Sequence, residues 1–248
     1  MNSNEIVIDV QGLVKKFGQF VANDNLTFKV YKGEIFGFLG ANGAGKTTAI
    51  RIMSGLLEPT SGKINVAGFN AYTQRDLIKA NIGYMSQKFS LYDDLTVREN
   101  IRFFGGIYGL SSKVLKARIE ELLSSLKMVE FKDELISSLP LGWKQRLAFS
   151  IAMIHNPIIV FLDEPTGGVD PITRRSFWEM IYSVTSQGTT VFVTTHYMDE
   201  AEYCDRLSIM VDGRIEALDS PSNLKKKYNA SSMDEVFVML ARNGKSVA

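Results

Sequence analysis

The chain predicts an α/β fold: a mostly parallel, helix-covered sheet, with a small antiparallel β subdomain before it and an α-helical subdomain inserted into it. Three stretches carry that expectation. The apolar run Ile35-Phe36-Gly37-Phe38-Leu39 leads through a glycine loop into Lys46-Thr47-Thr48-Ala49-Ile50-Arg51, so strand, loop and helix follow in order. Ile158 to Leu162 is apolar throughout, the pattern of a strand covered on both faces, and it ends in Asp163-Glu164. Between them, Leu95 to Ile154 repeats its apolar residues at helical spacing.

The elements can be justified in order. Glu5 to Val10 and Leu26 to Val30 alternate as half-buried strands do, and Lys32-Gly33 turns into the buried strand Glu34 to Leu39. After the first helix, Glu58-Pro59-Thr60-Ser61-Gly62 is a loop, and Lys63 to Val66 and Ile82 to Met85 are short strands. Thr96-Val97-Arg98-Glu99 has the form of a capping box that opens a helix carrying Ile101, Phe104, Ile107 and Tyr108. Ser111 to Met128 forms a second amphipathic helix, and a third runs from about Gly142 to His155. A helix follows Pro171, a strand covers Thr190 to Thr194, and Asp212-Gly213 marks a hairpin. Met233 to Ala241 reads as a short amphipathic helix.

Bulk composition narrows the function. The 248 residues allow one large α/β domain or two small ones, and 45% apolar with 22% charged residues is ordinary for a folded chain. A net charge of +1 argues against nucleic acid as a partner, because such binding needs many phosphates neutralised. Lys225-Lys226-Lys227 reads as a solvated helix end. The one cysteine, Cys204, rules out an internal disulfide and reads as a small buried apolar group. Met1 to Glu5 lacks a signal pattern, and the apolar tracts 147–154 and 158–162 are too short to span a bilayer. Any membrane segment is therefore expected on another chain.

Chemistry concentrates in two motifs. In Gly40-Ala41-Asn42-Gly43-Ala44-Gly45-Lys46-Thr47-Thr48, the glycines let backbone N–H groups surround phosphate oxygens, while the following helix points its positive end at the same anion. Lys46 supplies a point charge for the β- and γ-phosphates and Thr47 a hydroxyl for magnesium. This predicts a nucleoside-triphosphate site. Asp163 and Glu164, at the end of a buried strand, add a magnesium-holding acid and a group to orient the attacking water.

With both motifs in view, the chain resembles the ATP-binding subunits of ABC transporters from roughly Val7 to Leu218. Phe17 matches the aromatic residue that stacks on adenine in that family. Gln87 matches the glutamine that reaches the metal and water and senses the transmembrane partner. Leu139 to Gln145, LPLGWKQ, sits at the family's signature, and Thr166-Gly167-Gly168-Val169-Asp170 matches the loop that crosses to a second subunit. His196 matches the histidine at the γ-phosphate. The other histidine, His155, reads as structural, and Trp143 and Trp178 read as packing residues.

The resemblance implies ATP and Mg2+ as ligands, Glu164 as general base, and Lys46, Gln87 and His196 beside it. It places Thr47, Gln87 and Asp163 around the metal, and the loop 40–48 with Phe17, Leu141, Gly142, Gln145, Gly168 and Asp170 around the nucleotide. Two such subunits would hold ATP between them, head to tail, with transmembrane permease subunits beneath, so the chain would sit at the cytoplasmic face of the membrane. Gln87 and the segment 90–94 would carry motion to the permease. The ATP-binding domain would span 7–229, with a helical subdomain at about 89–156 and a short helical tail at 230–248.

One motif departs from the family. Pro140 replaces the signature serine and Leu141 the first glycine, so a hydroxyl donor to the γ-phosphate is lost and a side chain stands where backbone should approach closely. Slower hydrolysis with ATP binding retained is the expected result. The LPLGWKQ form is similar to signatures of some bacterial exporter ATPases, which favours small-molecule or drug export. Alternatives in other classes are an importer subunit, for which the chain ends early, a soluble ABC protein of ribosome or DNA work, and an ATP-binding module with little turnover.

Overall fold

In a computed structural model of the chain, residues 5–88 and 91–244 are described. Ser90, expected within the motion-carrying segment, lies outside them, as do Phe89 and both chain ends.

The first sheet is built from β1 (Ile6–Phe17), β2 (Phe20–Tyr31), β4 (Ser61–Val66) and β5 (Phe69–Asn70), paired antiparallel in the order β2-β1-β4-β5. Both opening strands run longer than the alternation suggests. Register shifts along the β1–β2 pair displace the side-chain phase and hide the strands from a period-two reading.

The second sheet holds β3 (Ile35–Gly40), β6 (Ile82–Met85), β7 (Ile159–Asp163), β8 (Thr190–Thr195), β9 (Arg206–Val211) and β10 (Arg214–Asp219), ordered β10-β9-β3-β8-β7-β6. All its pairings are parallel except β9–β10, the hairpin whose turn residues Asp212 and Gly213 both have positive φ, 46° and 81°. Each central strand divides its apolar residues between two cores. Phe36, Phe38, Phe161 and Phe192 meet Phe28 and the antiparallel sheet on one side. Ile35, Val160, Leu162, Val191 and Val193 face α5 (Leu141–Ala152) and α6 (Pro171–Ser186) on the other.

The insertion forms its own core. Helices α3 (Val97–Ile107) and α4 (Ser112–Ser125) pack with α5 through Ile101, Ile119, Leu123, Leu147 and Ile151. The predicted capping box is present: Thr96 Oγ1 accepts from Glu99 N, and Glu99 accepts from Thr96 N. Helix α1 (Lys46–Met53) follows the glycine loop, and α2 (Arg75–Asn81), too short for a periodicity signal, was not legible in the sequence. Beyond β10, α7 (Pro221–Tyr228) ends in the three lysines, and α8 (Met233–Gly244) buries Met233, Val236 and Leu240. Cys204 is buried with Gly37 beneath it, and burial pushes its thiol pKa up.

His155 has the structural place expected of it. Its ring stacks on Tyr108 at 3.9 Å between centroids, and Nε2 lies 3.0 Å from the Ile82 carbonyl. Burial lowers its pKa, opposed by that hydrogen bond, so the folded chain favours the neutral ring. Below the ordinary histidine value the unfolded chain therefore binds the proton more readily, and stability falls as pH drops through that window towards the folded pKa. The His155→Phe variant, which keeps the stacking, should lose less thermal stability between about pH 7 and pH 5 than the wild type. Parallel melting curves at those pH values check this.

Candidate functional site

The parallel strands deliver the predicted residues to one edge. Leu39 is in register with Thr195 and Asp163 with Thr194, while Met85 pairs with Leu162. The glycine loop, Glu164, His196 and Gln87 thus all leave the carboxyl ends of neighbouring strands, where open α/β sheets bind ligands.

Gly45 caps α1 in the left-handed conformation, φ 99°, and a Cβ there would collide with the Ala22 carbonyl and approach Asn23 Nδ2 to 2.7 Å. Lys46 is buried; Nζ donates to Gly40 O at 2.7 Å and Ala41 O at 3.1 Å, and lies 3.2 Å from Glu164 Oε1. The other Glu164 oxygen, Oε2, accepts from Gln87 Nε2 at 3.0 Å and lies 3.1 Å from His196 Nδ1. One buried carboxylate therefore gathers a lysine, an amide and an imidazole. Its backbone has positive φ, 48°, a conformation that costs a non-glycine residue about 1 kcal/mol or more. Thr194 pins it there, because Glu164 N donates to Thr194 O at 3.2 Å and Oγ1 at 3.0 Å.

Asp163 accepts at Oδ1 from Thr194 Oγ1 at 2.8 Å and Thr47 Oγ1 at 3.2 Å. Burial pushes its carboxyl pKa up, an effect those two hydrogen bonds and Lys46 oppose and Glu164 reinforces. Among the described residues no group of His, Cys, Asp and Glu could alone hold a metal. The juxtaposed Thr47 hydroxyl and Asp163 carboxylate nevertheless fit magnesium, which takes few protein oxygens and completes its shell with phosphate and water.

A cleft of about 400 Å³ opens over the loop, lined by Phe20, Ala22, Asn42, Gly43, Gly45, Lys46, Thr47, Thr48, Gln87 and Glu164. The aromatic side chain lining it is Phe20, 64% exposed, and Phe17 is not among the lining residues. Phe17 pairs with Phe20 across the β1–β2 turn, and Lys15 Nζ sits 4.9 Å over its ring. Two aromatics bracketing Gly18-Gln19 were the signal for Phe20. Thr194, the acceptor and donor that orders both acids, stands out in the sequence only as the end of the strand Thr190 to Thr194.

The signature and the crossing loop form a separate surface. Pro140 is the N-cap of α5, which begins at Leu141, one residue before the expected start at about Gly142, and it offers no side-chain cap. The first bonds to its carbonyl come from Trp143 N and Lys144 N, at 3.0 and 3.1 Å, which leaves the Leu141 and Gly142 amides at positions without intrahelical acceptors. Leu141 is 44% exposed and faces Gly168, where a Cβ would stand 3.6 Å from Leu141 Cδ2. At Gly142 a Cβ would stand 2.8 Å from Thr173 Cγ2, so glycine permits the docking of α5 on α6.

Two expected nucleotide contacts are committed elsewhere. Gln145 is fully buried and its Nε2 donates to Pro165 O at 2.5 Å, tying α5 to the turn after Glu164. Asp170 caps α6, with Oδ1 accepting from Ile172 N and Thr173 N at 3.0 Å and Oδ2 from Thr173 Oγ1. The Thr173 hydroxyl, with those amides, holds the Asp170 carboxyl below its ordinary pKa. Trp143 packs edge-on to Phe131 and Trp178 is buried near Tyr203, both packing residues as expected.

Parallel sheet, glycine loop and adjacent acids define a P-loop nucleoside-triphosphate-binding fold. The ABC transporter family profile matches residues 23–167, and the chain belongs to that family. It is 46% identical over 241 residues to the probable multidrug ABC transporter ATP-binding protein YbhF of Escherichia coli K12, covering 95% of this chain and 42% of that relative. The chain thus spans less than half the length of that protein. It is 37% identical to the Nod factor export ATP-binding protein I of Rhizobium sp. strain N33, over 94% of this chain and 77% of the relative. Among solved structures, the dimeric post-hydrolysis state of the ATP-binding cassette MJ0796 with ADP and Pi superposes at TM-score 0.77 and 25% identity, covering 86% of this chain and 98% of that one.

Proposed function

We propose that this chain hydrolyses ATP to energise a membrane exporter of small molecules or drugs, acting as one of two ATP-binding subunits packed head to tail. The observation that carries this reading is the convergence of Lys46, Gln87 and His196 on the Glu164 carboxylate beside the phosphate loop. A general base needs to be held and oriented, and these are the groups that do so. The multidrug and export names of relatives support the transport assignment, and the dimeric neighbour supports the pairing.

The proposed division of labour uses the residues gathered at the loop. Loop amides and Lys46 bind phosphate, Thr47 and Asp163 hold the metal, and Glu164 takes a proton from water oriented with Gln87. His196, next to the same carboxylate, contacts the phosphoryl group being transferred. Magnesium held by Thr47 and Asp163 would neutralise charge on the phosphate oxygens. Phe17 or Phe20 stacks the base. The surface of Leu141, Gly142 and Gly168 meets the other subunit's nucleotide, and the unit 7–229 operates as the ATP-binding domain.

Among the described residues no helix is long and apolar enough to cross a membrane, so the reading assigns the pathway to a partner. Expressing the chain with its neighbouring genes and isolating it from detergent extract should recover a polytopic membrane protein. Recovery of none, with the chain intact, overturns the transport assignment.

A further inference from the structure

Glu200 is an acid with no exposed surface, on a short 3-10 helix (Met198–Tyr203) just past His196. A carboxylate is costly to bury and is often replaceable by apolar residues without loss of stability, so its presence there calls for a reason beyond packing. Its Oε1 accepts from Thr166 Oγ1 at 2.6 Å, and Arg174 Nε of α6 lies 3.6 Å from the same atom. Its Oε2 has no hydrogen-bond partner among the described residues.

These contacts join the segments on either side of the Glu164–His196 pair. Thr166 belongs to the turn that begins at Glu164, and that turn is held from the other side by Gln145 Nε2 on Pro165 O. Arg174 reaches Asp199 Oδ2 at 3.2 Å and lies over the Tyr197 ring at 4.1 Å, next to His196. The 3-10 helix is itself seated through Met198 and Ala201 in the core closed by α8. From this arrangement we infer that Glu200 is a positioning residue for hydrolysis: it ties the turn carrying Glu164 to the segment carrying His196 and fixes the distance between them. Neither Glu200 nor Thr166 lines the nucleotide cleft. The inference rests on the reading of Glu164 and His196 as the hydrolytic pair.

Thr166→Val is the decisive variant, nearly isosteric and lacking only the hydroxyl, with Thr166→Ser as the conservative control. If Glu200 positions the pair, Thr166→Val lowers kcat for ATP about tenfold or more with KM within about twofold, because small misplacements cost rate rather than binding. Thr166→Ser restores it, and Glu200→Gln, which keeps the acceptor but drops the charge, falls between. A second readout does not depend on turnover. The chain has only two histidines, so ring-labelled protein gives one resonance each for His155 and His196. Thr166→Val and Glu200→Gln should shift the His196 resonance and leave that of His155 in place.

An unmoved His196 resonance in both variants overturns the inference, as does unchanged kcat in Thr166→Val. A wild-type chain without turnover, whose His196 resonance still responds to both variants, counts instead against the hydrolytic reading and leaves the tie in place. If Thr166→Val fails to fold, the Glu200→Gln resonances and kcat decide.

Discussion

Glu164→Gln binds ATP and hydrolyses it about 10²–10⁴-fold more slowly than the wild type, the loss expected when a positioned general base is removed. The resting geometry adds a second expectation. Lys46 and Glu164 form a buried ion pair at 3.2 Å, and removing one partner of such a pair costs about 3–5 kcal/mol when the other is left buried and uncompensated. Lys46 keeps its bonds to the Gly40 and Ala41 carbonyls, so the cost falls at or below that range. The nucleotide-free variant is thus less stable than the wild type, and ATP, by supplying an anion to Lys46, raises its melting temperature more. Turnover and ligand-dependent melting, measured together, check both halves. Equal turnover in the two proteins removes Glu164 from its role and favours a module that binds ATP with little hydrolysis.

Pro140→Ser combined with Leu141→Gly raises ATP turnover of the isolated chain by about 10²–10³-fold, the value of one preorganised donor of about 2.7–4 kcal/mol at a transition state. Serine at the N-cap of α5 also supplies the side-chain acceptor that Pro140 lacks. Glycine in place of Leu141 clears the half-exposed side chain from the surface shared with Gly168. Steady-state hydrolysis by the two proteins at matched concentration reads the effect. A pair of identical chains gains at both sites at once. Unchanged turnover shows that the phosphate loop of this chain is completed by the signature of a different partner.

Much of this was legible from spacing alone. The glycine loop and the two acids each end an apolar strand, whereas Gln87 and His196 stood out only through the family resemblance; parallel pairing then brings the carboxyl ends of all four strands together. The α5 boundary, α2 and the true extent of β1 and β2 were harder, because caps, short helices and register shifts leave little periodic signal. Apart from the Thr96–Glu99 capping box, side-chain commitment was not legible. Gln145 and Asp170 have the right identities for ligand contact, yet one is bonded inside the chain and the other caps a helix. The family match points to Phe17, yet the hairpin end places Phe20 in the cleft lining. The Thr166–Glu200 tie joins residues 34 positions apart, and neither carries a motif that announces the other.

The carboxylate at position 164 is also the site's resident anion. Incoming phosphate has to displace a rival that is covalently attached and already in place, so weakly charged anions compete poorly for Lys46 while a polyphosphate with its metal can succeed. The same rival is waiting when the cleaved phosphate loosens. When the cleaved phosphate leaves, Lys46 would again face the tethered carboxylate 3.2 Å away.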